Sequence, residues 1–316
     1  LARVDYDGTA SSLLVEPQRT NLFSYSEDFS QWSSYSGASV ISNALISPDG
    51  TQNADEFVFN GTNNGRVELE VPTTNGLDYT FSIYLKNKDI SNPSQVYLGF
   101  SSTSQGEFIT ITNEWKRYSI TSAANSTNEY PRINSDDSGS LYAWGSQIEQ
   151  GSFLTSYIPT SGSTVTRVQD QYEKTGISSK INSEEGVLFV EIAYLTQTSP
   201  TVKEISLNDG TNANRVALRL NTTTNQIRAI VRVEGSNQFT VQHTISNVTN
   251  YNKIAIKWKL NDFALWVNGV ELDTDLSGSI PTGLNQLNFD EGNGASVFCG
   301  KVKQLQVYDT ALTDDT

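Results

Sequence analysis

Apolar and polar positions alternate with a period of two along most of the chain, and helical periodicity is hard to find. In Tyr79-Thr80-Phe81-Ser82-Ile83-Tyr84-Leu85, the set Tyr79, Phe81, Ile83 and Leu85 shares one face and Thr80, Ser82 and Tyr84 share the other. In Val96-Tyr97-Leu98-Gly99-Phe100, Val96, Leu98 and Phe100 form the apolar set and Tyr97 lies opposite. Further strands are predicted over Val187–Ile192, Arg215–Leu220, Gln226–Val233, Lys253–Leu260, Phe263–Val267 and Val302–Tyr308. Asn268-Gly269 separates Phe263–Val267 from Val270–Leu272. That dipeptide signals a type I′ hairpin, whose two central residues both need positive φ. Turn residues recur about every ten positions, the spacing of sandwiches and jelly rolls.

The pattern divides near residue 165. Pro159-Thr160-Ser161-Gly162-Ser163-Thr164 has nothing large and apolar to bury and reads as a linker. Each side holds about 150 residues, enough for one sandwich. The expected fold is all-β, with two tandem antiparallel β-sandwich (jelly-roll) domains at residues 1–163 and 167–316.

Composition narrows what such a fold is for. Hydrophobic residues make up 36 % and charged residues 18 % of the 316 positions, and Ser, Thr, Asn and Gly fill the difference. Aromatic content of 10 % excludes a disordered chain. A net charge of −14 argues against nucleic acid as a partner, because such binding rests on neutralising phosphates. No apolar run approaches the roughly 20 residues of a membrane span, so no membrane insertion is expected. The single cysteine, Cys299, allows no internal disulfide and reads as an inert buried thiol. Met is absent and the chain opens on Leu1, which suggests a segment of a longer or processed polypeptide.

Two stretches resemble bacteriophage structural proteins. One is Leu13-Leu14-Val15-Glu16-Pro17-Gln18-Arg19-Thr20-Asn21-Leu22, continued by Tyr25 to Trp32. The other is Tyr142-Ala143-Trp144-Gly145-Ser146-Gln147-Ile148-Glu149-Gln150-Gly151-Ser152, followed by Thr155 to Thr160. In the phage proteins these segments bracket a jelly roll similar to carbohydrate-binding modules. The second half resembles laminin-G/concanavalin-like domains through Glu185–Glu191, Asn261–Gly269 and Gly300–Leu312.

Catalysis finds little support. His243 is the only histidine, in Val241-Gln242-His243-Thr244. Jelly-roll polysaccharide lyases carry Gln-x-His on a strand; here Gln242 and His243 are adjacent and fall on opposite faces. The Glu-x-Asp-x-x-Glu motif of sandwich glycosidases is also missing. Glu68/Glu70, Asp136/Asp137 and Glu184/Glu185 read as solvated charges, not a hydrolytic pair. The expectation is therefore no enzyme and no cofactor, with structural calcium the one ion the resemblance allows. Asp5-Tyr6-Asp7-Gly8 opens like an EF-hand loop, but Ala10 stands where that loop needs glycine. Asp49, Asn53 and Asp55, Asp209 and Asn212, and Asp290, Glu291 and Asn293 offer oxygen ligands in loops. The same residues also build turns, and turn formation is the favoured reading.

Glycan recognition by these folds needs aromatic faces beside amide, carboxylate or guanidinium groups. Tyr84 and Tyr97, on the non-core faces of their strands, are candidates for one platform on the first domain. Trp266 alternates away from Phe263, Leu265 and Val267 and is the candidate on the second. Surface tyrosines at a subunit contact are the competing reading. Trp32, Trp115 and Trp144 read as core or staple residues. The resulting expectation is a non-catalytic, virion-exposed adhesin or decoration module on the particle's exterior. Its partners would be surface polysaccharide, other virion proteins and further copies of itself. The alternatives are the binding region of a polysaccharide depolymerase and a purely structural appendage domain.

Overall fold

Period-two sequence becomes strand almost throughout. The computed structural model describes residues 2–312 apart from 8–9, 63, 89–94, 102–104, 198 and 200. Among these residues helix is limited to short 3-10 turns, including Phe29–Gln31 and Ser178–Lys180. The strand predicted around Phe81 runs Asp78–Asn87, and that around Leu98 runs Gln95–Gly99. Asn268 and Gly269 take φ of 52° and 82° between Phe263–Val267 and Val270–Asp275, as the I′ turn requires.

The chain forms two β-sandwich units, but they are not in tandem. Residues 18–169 form one compact unit, and residues 2–17 join 170–312 in the other. We call them the inserted and the host sandwich. The inserted sandwich has two five-stranded antiparallel sheets. One runs Gly106–Thr110, Gln95–Gly99, Arg132–Ser135, Gly65–Glu68 and Ser33–Tyr35 in spatial order. The other runs Lys116–Ala123, Asp78–Asn87, Ser138–Gln150, Ala54–Asn60 and Ala38–Leu45. Phe57, Phe81, Ile83, Leu85 and Leu141 from the second sheet meet Val67, Val96, Leu98 and Ile133 from the first in one core.

The host sandwich pairs a seven-stranded with a six-stranded sheet. The former orders Arg3–Asp7, Ala10–Val15, Gly300–Tyr308, Glu185–Tyr194, Asn252–Lys259, Phe263–Val267 and Val270–Asp275. The latter orders Glu173–Lys174, Gln286–Asn288, Lys203–Asn208, Arg215–Leu220, Gln226–Val233 and Ser236–Thr244. Their inward residues, among them Val190, Ile256, Trp258, Leu207, Leu218 and Phe239, form the second core.

Two boundaries fall elsewhere than the sequence pattern puts them. The first seventeen positions belong to the host sandwich because Leu13, Leu14 and Val15 pair with Val302, Lys301 and Gly300. Arg3 pins this hairpin, contacting Glu16 at 3.0 Å and Asp170 at 2.6 Å. The Pro159–Thr164 stretch is not a bare linker either. The Thr160 amide donates to Ser26 Oγ at 2.8 Å, Ile158 is buried, and Val165–Arg167 pairs with Arg19–Asn21. Its backbone exchanges hydrogen bonds with Ser26 of the inserted unit, which composition alone cannot reveal.

A chain beginning at residue 18 should be less stable in its host sandwich by about 2 kcal/mol, from exposure of the site Val15 fills. Val15 is fully buried in that core. The uncovered Gly300–Tyr308 edge should also promote aggregation. Urea unfolding checks the first effect and light scattering the second; an unchanged midpoint would refute it.

Candidate functional site

Inward positions are spent on the two cores, so binding chemistry is left to the outward faces. The register of the first inserted sheet builds one row across all five strands. Phe108 stands opposite Tyr97, Tyr97 opposite Asn134, Asn134 opposite Arg66, and Arg66 opposite Tyr35. Strand spacing makes this row about 19 Å long. Phe108 is 68 % exposed and Tyr35 42 % exposed, at opposite ends. A second row sets Gly106, Gly99, Arg132, Glu68 and Ser33 beside it.

The side chains in these rows support one another. Tyr97 lies flat over Gly99 and Gly106: a Cβ at either glycine would come within 2.5 Å of its ring or hydroxyl. Only glycine leaves that space. Phe108 packs edge-on to Tyr97 with centroids 5.8 Å apart, and the Arg132 guanidinium sits 5.7 Å from the Tyr97 centroid. Arg66 lies over the Tyr35 ring at 4.4 Å and donates from Nε to Glu68 at 2.9 Å. Asn134 donates to Asn64 at 2.9 Å, while its own carbonyl oxygen is shielded and has no partner. Aromatic faces, guanidinium forks and a side-chain amide thus share one surface. Such a set can stack on sugar C–H faces and bond hydroxyls.

Tyr97 belongs to this surface, but not as a free platform with Tyr84. Tyr97 is 7 % exposed, and burial pushes its phenol above the ordinary range. Tyr84 lies in the other sheet, because consecutive strands of a sandwich cross between layers. There it packs against Trp144 at 5.3 Å and Tyr157 at 6.5 Å, under the Arg117 guanidinium. Trp144 is buried in this outer cluster, not the main core, and its indole N–H has no partner. Burial also drives the Tyr157 phenol upward, while its hydroxyl contacts Ser26 and Glu27. Trp32 does join the core.

In the host sandwich Trp266 faces outward, as alternation predicts, and is half-buried beside Ala255 and Glu271. Lys257 Nζ lies 5.4 Å from its ring. Phe108, Tyr35, Arg66, Arg132 and Asn134 are the residues sequence reasoning missed. Phe108-Ile109 and Arg66-Val67-Glu68 carry the alternating signal, but only the register shows that they meet.

The candidate calcium carboxylates hold their own loops. Asp49 accepts from Ser47 Oγ and from the Thr51 amide and hydroxyl, which lower its pKa. Asp55 accepts from the Phe29 and Asn43 amides, yet burial pushes its carboxyl upward. It lines a cleft of about 410 Å³ with Glu27, Asp28 and Asn53. Asp209 accepts from Thr211 and Asn214, and Asp290 from the Gly292 and Gly294 amides. Among the described residues no group of three or more His, Cys, Asp and Glu side chains is arranged to hold a metal ion. His243 Nε2 lies 3.5 Å from Asp273, and Cys299 is buried.

No protein-family model matches the chain, and no curated protein matches it. Solved structures do resemble it. Ruminococcus gnavus IT-sialidase CBM40 bound to α2,3-sialyllactose is 19 % identical, covering 46 % of this chain and 95 % of its own, with a TM-score of 0.37. Sheep galectin-11 in complex with glycerol is 9 % identical over 45 % of this chain and 99 % of its own, with a TM-score of 0.30. Domains LG4-5 of the mouse laminin α1 chain are 9 % identical over 78 % of this chain and 88 % of their own, with a TM-score of 0.29.

Proposed function

We propose that this chain is a non-catalytic glycan-binding module, displayed on the exterior of a phage particle, with the five-stranded face of the inserted sandwich as its sugar-binding surface. The observation that carries the binding reading is the row Phe108–Tyr97–Asn134–Arg66–Tyr35, backed by Arg132 and Glu68. Its aromatic ends are exposed and its polar centre is held in place by stacking and ion pairing. The phage reading draws on the sequence resemblance of residues 13–32 and 142–160.

Phe108→Ala and Tyr35→Ala should each weaken retention on the bound glycan about tenfold, the order of effect expected for truncating an aromatic anchor. A glycan array identifies the ligand, and titration of the variants measures the loss. A blank array, or unaltered binding by the double variant, would reject this surface. Antibodies to the chain should label intact particles from outside; labelling only after disruption would reject the exterior location.

A further inference from the structure

Two cross-strand arginine pairs lie on the outward face of the host sandwich's six-stranded sheet. Arg215 stands opposite Arg232, and Arg219 opposite Arg228. The sequence makes this by repeating Arg-x-x-x-Arg, at 215/219 and 228/232, on two strands joined by a turn. Val216, Leu218, Ile227, Ala229 and Val231 enter the core, so the four arginines share the other face. Like charges placed opposite one another destabilise a sheet. Two such pairs are therefore notable in a chain of net charge −14.

Half of that charge is answered within the fold. Glu204, buried on the adjoining strand, meets Arg215 Nε at 2.9 Å and Arg219 Nη2 at 2.6 Å. Glu291 meets Arg219 Nη2 at 3.1 Å and Arg215 Nη2 at 3.6 Å. Arg228 and Arg232 are the other half. Arg232 Nε donates to the Gly235 carbonyl at 2.8 Å. Arg228 Nε is shielded from water and has no hydrogen-bond partner. Burial, and then Arg219, disfavour the charged form of Arg228. The edge strand adds Gln242 beside Arg228, Thr240 beside Ile230 and Asn237 beside Arg232, all three exposed and neutral.

We propose that Arg228 and Arg232 bind carboxylates of an acidic polysaccharide, with Asn237, Thr240 and Gln242 taking its hydroxyls. The guanidinium fork matches a carboxylate. Glu204 between Arg215 and Arg219 is the same recognition made inside the fold. Amide and hydroxyl neighbours suit a polyhydroxylated chain. A nucleic acid would call for more cations and stacking faces, and the chain's net charge opposes it. Four residues along a strand separate the two arginines by about 13 Å, so one polymer can reach both. This site shares no residue with the inserted sandwich's face and stands whether or not that face binds sugar.

The test is titration of the full chain with oligogalacturonate, its methyl ester, dextran sulfate and DNA. Oligogalacturonate should bind, more weakly as salt rises. The ester and the Arg228→Gln/Arg232→Gln variant should each lose about tenfold or more, and Phe108→Ala/Tyr35→Ala nothing. Circular dichroism checks that the arginine variant folds; where it does not, the ester comparison and salt dependence decide. Absence of binding, equal binding of the ester, or tighter binding of dextran sulfate or DNA would overturn the proposal.

Discussion

Replacing Glu204 by leucine is expected to destabilise the protein by about 3–5 kcal/mol. The carboxylate is 0 % exposed and answers Arg215, itself 2 % exposed. Burial pushes the Glu204 carboxyl upward, while Arg215 and Arg219 pull it down. We take it as ionised, because two guanidiniums within 3 Å hold the charge. Removing it strands Arg215 in a site that water does not reach, with Glu291 only at 3.6 Å. The loss comes from the charge left behind more than from any net gain by the pair. Removing both partners, in Glu204→Leu/Arg215→Leu, should therefore recover most of the stability. A double-mutant cycle by urea unfolding measures the difference. A single-variant loss below about 1 kcal/mol, the range of exposed pairs, would mean that solvent screens Arg215.

The same network shows where sequence stops being informative. Val216 and Leu218 face inward and Arg215 and Arg219 lie on the other face, since period two fixes the face of each residue along the predicted Arg215–Leu220 strand. Alternation cannot say which strand lies alongside. Arg228 becomes Arg219's neighbour only through the long-range register, and so does Phe108 in relation to Tyr97 and Tyr35. Tyr84 and Tyr97 illustrate the converse: both face outward, but from opposite sheets. Residues 2–17 read as the start of the first domain by proximity in sequence, whereas pairing with Gly300–Tyr308 assigns them to the host sandwich. Tyr97 reads as an open aromatic because its glycine bed, Gly99 and Gly106, is assembled from two strands. Thus the β-sandwich fold was largely legible in the strand pattern. The candidate surfaces were not, because they are products of pairing.

Phe81→Ala should destabilise the inserted sandwich by about 3–5 kcal/mol, the usual range for emptying a buried aromatic site. Phe81 is fully buried on the Asp78–Asn87 strand, opposite Ile120 on one side and Ile148 on the other. Its ring meets Phe23 edge-on at 5.7 Å and Phe100 at 6.4 Å, joining aromatic residues from different parts of the chain. Truncation removes both contacts and leaves a cavity that neighbouring strands cannot close without breaking register. Phe108→Ala deletes a side chain of the same chemistry that is 68 % exposed. It should change stability by no more than about 0.5 kcal/mol. Urea unfolding followed by circular dichroism separates the two. If Phe108→Ala were as damaging as Phe81→Ala, Phe108 would be a structural residue and the exposed end of the proposed sugar surface would be lost. If Phe81→Ala were mild, the core would be repacking around the gap. The opposite profiles expected for these phenylalanines, one in stability and one in glycan retention, follow from the alternation that turns one into the core and the other out to solvent.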